Sequence, residues 1–224
     1  IQEPPPYRSG TDRPSFRQSF KFFKQPRIGR WSIFLVTFRL PLMATILPLQ
    51  ISMVDNGMSP SEIGVWLGLI ALSTAMIMSF FSGFLVSIWQ RRTAFVTFAS
   101  IKVVMLVLLY GLVSTAHEKS HYGLILIWGA AGISDVVLFA GAMDRARPAM
   151  PGFDFSIQVG LIFFIQTLAE PLWGQIVDTS GLLPMLGIAV ALSTVPLLVL
   201  LLVKLPLGPS LGNRHTSTAS FSSK

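Results

Sequence analysis

The 224-residue chain is 52% hydrophobic and only 12% charged, with a formal net charge of +7 and no cysteine. Its charged fraction is about half the roughly 25% of a soluble domain, which excludes an ordinary water-soluble fold. The absence of cysteine excludes disulfides, iron–sulfur clusters and thiol chemistry.

Six apolar runs of about 20 residues follow one another, and that length crosses a bilayer as a helix. Backbone polar groups in lipid must bond within their own segment, so each run predicts a transmembrane α-helix. We place the spans at residues 31–54, 63–89, 93–114, 123–142, 155–176 and 182–203. Residues 1–30 are predicted to be a cytoplasmic linker with an amphipathic basic segment, and residues 204–224 a disordered cytoplasmic tail.

Basic residues outside the spans lie almost entirely on one side of the predicted membrane. That side holds the seven arginines and lysines of residues 8–30, then Arg91, Arg92, Arg145, Arg147, Lys204, Arg214 and Lys224. The opposite loops hold only Lys119. By the positive-inside rule both termini are expected in the cytoplasm, and the net charge is explained without a nucleic-acid partner.

A polar segment at residues 143–158, MDRARPAMPGFDFSIQ, separates the fourth and fifth spans and is called the hinge below. Its prolines prevent one continuous helix. Asp154 is expected to accept from the free N–H groups that begin the fifth helix. Elsewhere, Ser59 or Ser61 could cap the second helix, and a tight turn is expected at residues 178–181.

Charged side chains inside membrane spans are costly and are usually functional. The chain has Arg39, Lys102, Asp135 and Glu170 at such positions. A carboxylate in an apolar site can hold a proton and release it to water, as proton coupling requires. Arg39 could bind an anionic solute or pair with either carboxylate, and the alternative for all four is a structural ion pair. Gln158 and Gln166 could line a polar path or bond neighbouring helices.

Residues 83–92, GFLVSIWQRR, resemble the loop signature of the major facilitator superfamily, Gly-x-Leu-x-Asp-Arg-x-Gly-Arg-Arg. Gly83, Leu85, Arg91 and Arg92 match, whereas Ser87 replaces the aspartate. In that family the glycine permits close helix packing and the charges latch helices together, so the resemblance implies a weaker latch here. It also implies an all-α membrane protein: the C-terminal half of a twelve-helix facilitator, built as two inverted three-helix repeats.

The hinge is similar to the Met-Asp-Arg-x-Arg-Pro…Asp-Phe-Thr-x-Gln pattern of siderophore permeases of the RhtX/FptX type, whose neighbours are the muropeptide permeases. The matching residues are Asp144, Arg145, Arg147, Pro148, Asp154, Phe155 and Gln158. This resemblance implies proton-coupled siderophore uptake through a bacterial inner membrane by alternating access. The expected partners are lipid, an N-terminal six-helix half, the solute and protons, with no cofactor. A muropeptide or another amphiphilic solute is the alternative.

One motif favours an enzyme instead. Residues 117–121, HEKSH, fit the zinc-protease pattern H-E-x-x-H, which needs both histidines on one helical face, a third ligand and the catalytic Glu118. The motif fills a short loop between two spans, and no obvious third ligand follows it. We therefore expect neither a metal site nor an enzyme. A membrane partner that transports nothing is the third hypothesis.

Overall fold

The computed structural model describes residues 22–25, 28–147 and 150–202, apart from the side chain of His117. The predicted tail and most of the predicted linker lie outside these residues. The described part is all-helical, and six of its helices are long and apolar enough to cross a membrane. They are α1 (Ile28–Asp55), α2 (Pro60–Ile88), α3 (Arg91–Thr115), α4 (Gly123–Asp144), α5 (Pro151–Ser180) and α6 (Leu182–Leu202). The six predicted helices are confirmed, and their length and apolar composition suit a multi-pass membrane protein.

The helices extend beyond several of the predicted ends. The largest difference is in α5, which runs to Ser180. The tight turn predicted at residues 178–181 is therefore wrong, and Gly181 alone joins α5 to α6. Gly181 has φ +88°, a conformation that costs glycine little and strains other residues. Pro41 and Pro171 lie within continuous helices.

The turn between α1 and α2 ends in a capping box. The Ser59 hydroxyl accepts from the Glu62 backbone N–H, and the Glu62 carboxylate accepts from the Ser59 N–H. Of the two predicted caps, Ser59 is the one used. Within α2, Trp66–Ala71 is a π-helical stretch. Between α3 and α4, His117–Tyr122 forms a short 3₁₀ helix where a loop was predicted.

Helices α1 and α4 are the most buried, and each packs mainly against two helices of the other half of the chain. Helix α1 packs against α5 and α6, whereas α4 packs against α2 and α3. The pairs α1–α4 and α3–α6 complete the bundle. By contrast, α2 and α5 are mostly exposed and carry large apolar side chains, such as Phe80 and Phe164. A surface of this kind suits lipid or a partner protein rather than water.

Helices α2 and α4 cross closely at a glycine that the loop signature does not include. A Cβ added to Gly132 in α4 would lie 2.4 Å from the carbonyl oxygen of Ala75 in α2. A Cβ at Gly83 would meet nothing nearer than Val136, at 4.0 Å. The close packing that the superfamily resemblance implies at Gly83 is therefore found at Gly132, while Leu85 packs against the core.

Candidate functional site

Arginines and aspartates meet where α3 and α5 begin and α4 ends, which we call the basic end. Arg91 Nε donates to Asp144 Oδ2 at 2.8 Å, and both side chains are nearly buried. This chain has Ser87 where the loop signature has an aspartate, and Asp144 of the hinge supplies a carboxylate instead. The weaker latch expected from Ser87 is corrected to a buried ion pair between α3 and α4. Arg92 Nη2 also donates to the Leu200 carbonyl, which ties α3 to α6.

Asp154 is fully buried and binds Arg147 of the same hinge. Its carboxylate accepts from the Arg147 backbone N–H at 2.9 Å, and from Nε at 2.7 Å and Nη2 at 2.6 Å. These bonds to Asp154 raise the pKa of Arg147. The residue before α5, Met150, makes no side-chain cap. The prediction that Asp154 accepts from the N–H groups that begin α5 is therefore wrong. Its carboxylate binds Arg147 and closes the hinge instead.

Arg145 packs against an aromatic ring of α1. Its guanidinium carbon lies 3.6 Å from the Trp31 ring centroid, and Nη1 donates to the Gly141 carbonyl. Burial lowers the pKa of Arg145 to about 10, so the side chain stays charged at neutral pH. Cation–π contact of this kind fixes the start of α1 against the end of α4.

Gln158 is buried at the basic end and joins three helices. Its Oε1 accepts from Trp31 Nε1 at 2.7 Å, and its Nε2 donates to the Ala142 carbonyl at 3.0 Å. The side chain therefore bonds neighbouring helices, which is one of the two roles the sequence left open. It lies apart from the other residues predicted for a solute or proton path.

Three of the four charged residues predicted inside spans lie at one depth. Arg39 Nη1 in α1 donates to Asp135 Oδ1 in α4. At about 1.5 Å per residue, Arg39 lies about 16 Å from the start of α1, and Asp135 lies about 14 Å from the end of α4. Lys102 is about 16 Å from the start of α3. We call these three residues the charged cluster.

Lys102 is completely buried, so it does not reach either membrane surface. Its Nζ donates to the Phe38 carbonyl at 2.6 Å and lies over the Phe38 ring. It also lies within the electrostatic field of Asp135. The cluster therefore has two basic side chains to one carboxylate, and only Arg39 forms an ion pair with it.

Arg39 lies at one end of a groove between α1 and α5. Its guanidinium carbon lies 5.6 Å from the Phe163 ring centroid on α5, and its Nε is buried with no hydrogen-bond partner. Farther from the basic end the groove widens into a cavity of about 210 Å³. The cavity is lined by Met43, Ala44, Ile46, Leu47, Pro48, Gln50, Gln166, Glu170 and Trp173.

The cavity contains the fourth charged residue and the second predicted glutamine. Gln166 Nε2 donates to Glu170 Oε1 at 3.4 Å, within one turn of α5. Trp173 completes this face and was not predicted. Its spacing was the available signal, because Phe163, Gln166, Glu170 and Trp173 recur every three or four residues, as one helical face requires.

The HEKSH motif packs as part of the loop between α3 and α4. Ser120 is buried and shares a 2.9 Å hydrogen bond with Ser52 of α1. The His121 ring stacks near Trp66 and Tyr122, with centroids 4.8 and 4.3 Å away. Among the residues that the structure describes, no group of three or more His, Cys, Asp or Glu side chains could hold a metal ion.

Comparison with protein-family models, with curated proteins and with solved structures finds no match to this chain.

Proposed function

We propose that the chain is one six-helix half of a major facilitator transporter that couples solute movement to protons. The observation that carries this proposal is the charged cluster, which lies near mid-depth in a bundle of membrane-length helices and at one end of the α1–α5 groove. Charged groups at that depth are retained mainly where they serve a pathway. The loop signature at residues 83–92 and the Arg91–Asp144 latch support the family.

The packing pattern supports two inverted repeats. Exchanging α1, α2 and α3 with α4, α5 and α6 turns the α1–α5 pair into α4–α2, and the α1–α6 pair into α4–α3. The pairs α1–α4 and α3–α6 map onto themselves. Each repeat thus contributes its first helix to the centre and packs it on the second and third helices of the other repeat. This interleaving fits a site formed at the repeat interface.

The charged cluster offers a coupling mechanism. The bond from Arg39 favours the ionised form of Asp135. An anionic group that enters the groove competes for Arg39, and Asp135, released into an apolar site, then takes up a proton. Lys102 lies behind the pair, within the electrostatic field of Asp135. Solute and proton therefore bind in a linked way, as symport requires.

A siderophore is the substrate that we propose, taken up across a bacterial inner membrane with the basic end in the cytoplasm. This choice rests on the similarity of the hinge to the siderophore permeases. A muropeptide or another amphiphilic solute is the alternative, because the groove combines apolar and polar walls.

Uptake of a labelled siderophore by the transporter that contains this chain tests the proposal, with and without a proton gradient. We expect saturable, gradient-dependent uptake that Asp135→Asn uncouples. Asp178→Asn is the matched control, because Asp178 is an exposed carboxylate at the far end of α5. Glu118→Gln should leave uptake unchanged and so separates transport from HEKSH chemistry. Uptake that is unsaturable and independent of the gradient would refute the transporter.

A further inference from the structure

The cavity between α1 and α5 has two chemically different walls. The α1 wall is largely apolar, from Met43 to Pro48, and the α5 wall carries Gln166, Glu170 and Trp173. Phe163 of α5 contacts Arg39. At about 1.5 Å per residue, Glu170 lies about 10 Å farther along α5 than Phe163. The cavity and the charged cluster are therefore separate parts of one groove.

Polar atoms on the α5 wall lack partners. Gln166 Oε1 and Trp173 Nε1 are both shielded from solvent, and neither forms a hydrogen bond. Buried polar atoms are normally hydrogen-bonded, so a ligand group that bonds to them from the cavity would be favoured. Gln166 Oε1 can only accept and calls for a donor group, whereas Trp173 Nε1 can only donate and is not matched by an ammonium group.

The charge of the wall limits what that donor can be. Glu170 forms no ion pair with any lysine or arginine of the described residues. Its carboxylate and the Gln166 carbonyl both favour a cation that carries N–H donors. An anionic group would be repelled by Glu170, and a neutral one would leave Glu170 without a counter-ion.

We propose that this cavity binds the protonated amine of an amphiphilic solute, with the apolar part of the solute against the α1 wall. Its volume of about 210 Å³ is smaller than a whole drug-sized site of about 300–1,000 Å³, so it takes a head group and a few carbons. This assignment rests on the proposed transport function for its biological role. The binding itself is measurable without transport.

Equilibrium dialysis of radiolabelled hexylamine at pH 7 tests the proposal, with the full chain in lipid nanodiscs and empty nanodiscs as the background. Hexylamine is protonated at this pH, whereas hexanol has a similar apolar chain and no charge. We expect hexylamine to bind saturably and hexanol to compete at least tenfold more weakly. Glu170→Gln should weaken hexylamine binding about tenfold, as the loss of one charge-assisted bond predicts.

Asp178→Asn is the matched control, because it removes one carboxylate from α5 outside the cavity. It should bind hexylamine like the unmodified chain. Gln166→Leu, which removes the unpaired acceptor, should weaken binding severalfold and decides the test if Glu170→Gln does not fold by circular dichroism. The proposal is overturned if hexanol binds as tightly, if the folded cavity variants bind normally, or if Asp178→Asn loses as much affinity as Glu170→Gln.

Siderophore uptake by the transporter that contains this chain separates this inference from the proposed function. Charge-selective binding that Glu170→Gln weakens supports the amine site even where no proton-coupled uptake occurs. The lack of proton-coupled uptake would then refute the transporter alone. Proton-coupled uptake together with binding that ignores charge would refute the amine site alone.

Discussion

Replacing Asp135 with asparagine should destabilise the bundle, because the Arg39 guanidinium would stay desolvated without its partner. In the described residues Arg39 forms its ion pair with Asp135 alone, and Lys102 is fully buried within the field of the same carboxylate. The charged cluster would lose its one carboxylate and keep both basic side chains, without a change in size.

Removing one partner of a buried ion pair typically costs about 3–5 kcal/mol, because the other charge stays desolvated. The Asp135 side chain retains 22% of its exposure, towards the groove, so we expect the lower limit, about 3 kcal/mol. Removing both partners should cost less, since Arg39→Gln/Asp135→Asn leaves no unpaired guanidinium. We expect this double variant to recover about 1–2 kcal/mol relative to Asp135→Asn alone.

The free energy of unfolding of the four proteins in this cycle can be measured by denaturant titration in detergent micelles, followed by circular dichroism. The coupling energy between Arg39 and Asp135 is the decisive quantity, because changes in helix propensity cancel in the cycle. Additive effects within about 0.5 kcal/mol would refute the argument, since they would mean that the pair contributes no interaction of its own.

Three further predictions test the packing, the latch and the topology. Gly132→Ala should lower the free energy of unfolding by about 1–3 kcal/mol, because its Cβ meets the backbone of α2. Gly83→Ala has room for its Cβ and should change that free energy by less than about 0.5 kcal/mol. Equal effects of the two substitutions would contradict the packing. Arg91→Gln should cost about 3 kcal/mol and speed hydrogen exchange at the end of α4; unchanged exchange would count against the buried latch. Because the chain has no cysteine, Ser87→Cys and Ser180→Cys can be labelled singly in cells; an impermeant maleimide should reach only the cysteine at position 180, and labelling at 87 would reverse the assigned sides.

The helices were predictable because backbone hydrogen bonding in lipid leaves few alternatives. Their ends were less so, since a helix can continue past polar residues, as α5 does through Asp178. Asp154 illustrates a second limit. An aspartate near a proline-rich helix start predicts capping from local sequence, but an arginine seven residues earlier competes for it, and three bonds to Arg147 prevail.

The same limit applies to the candidate site, because the sequence identified its charged residues but not which of them pair. The sequence marked Arg39, Lys102, Asp135 and Glu170 as candidates because charge in a span is rare. It left open which carboxylate Arg39 would bind. The choice depends on the packing of α1 against α4, which brings Asp135 to Arg39 and leaves Glu170 farther along the groove. The Arg91–Asp144 latch was unpredictable for the same reason, because its partners lie 53 residues apart.

The charged residues also indicate the inner helix faces better than the apolar ones do. In water, a stripe of apolar residues marks the buried side of a helix, but these helices are apolar all round and bear no such stripe. Lipid instead excludes charge, so a charged side chain must point at protein or at a cavity. Arg39 and Asp135 do so on the two most buried helices, and Lys102 on the inner face of α3. Glu170 follows the rule on the mostly exposed α5, since it faces the cavity against α1. The same reasoning identifies that cavity as the part of the surface that lipid does not cover.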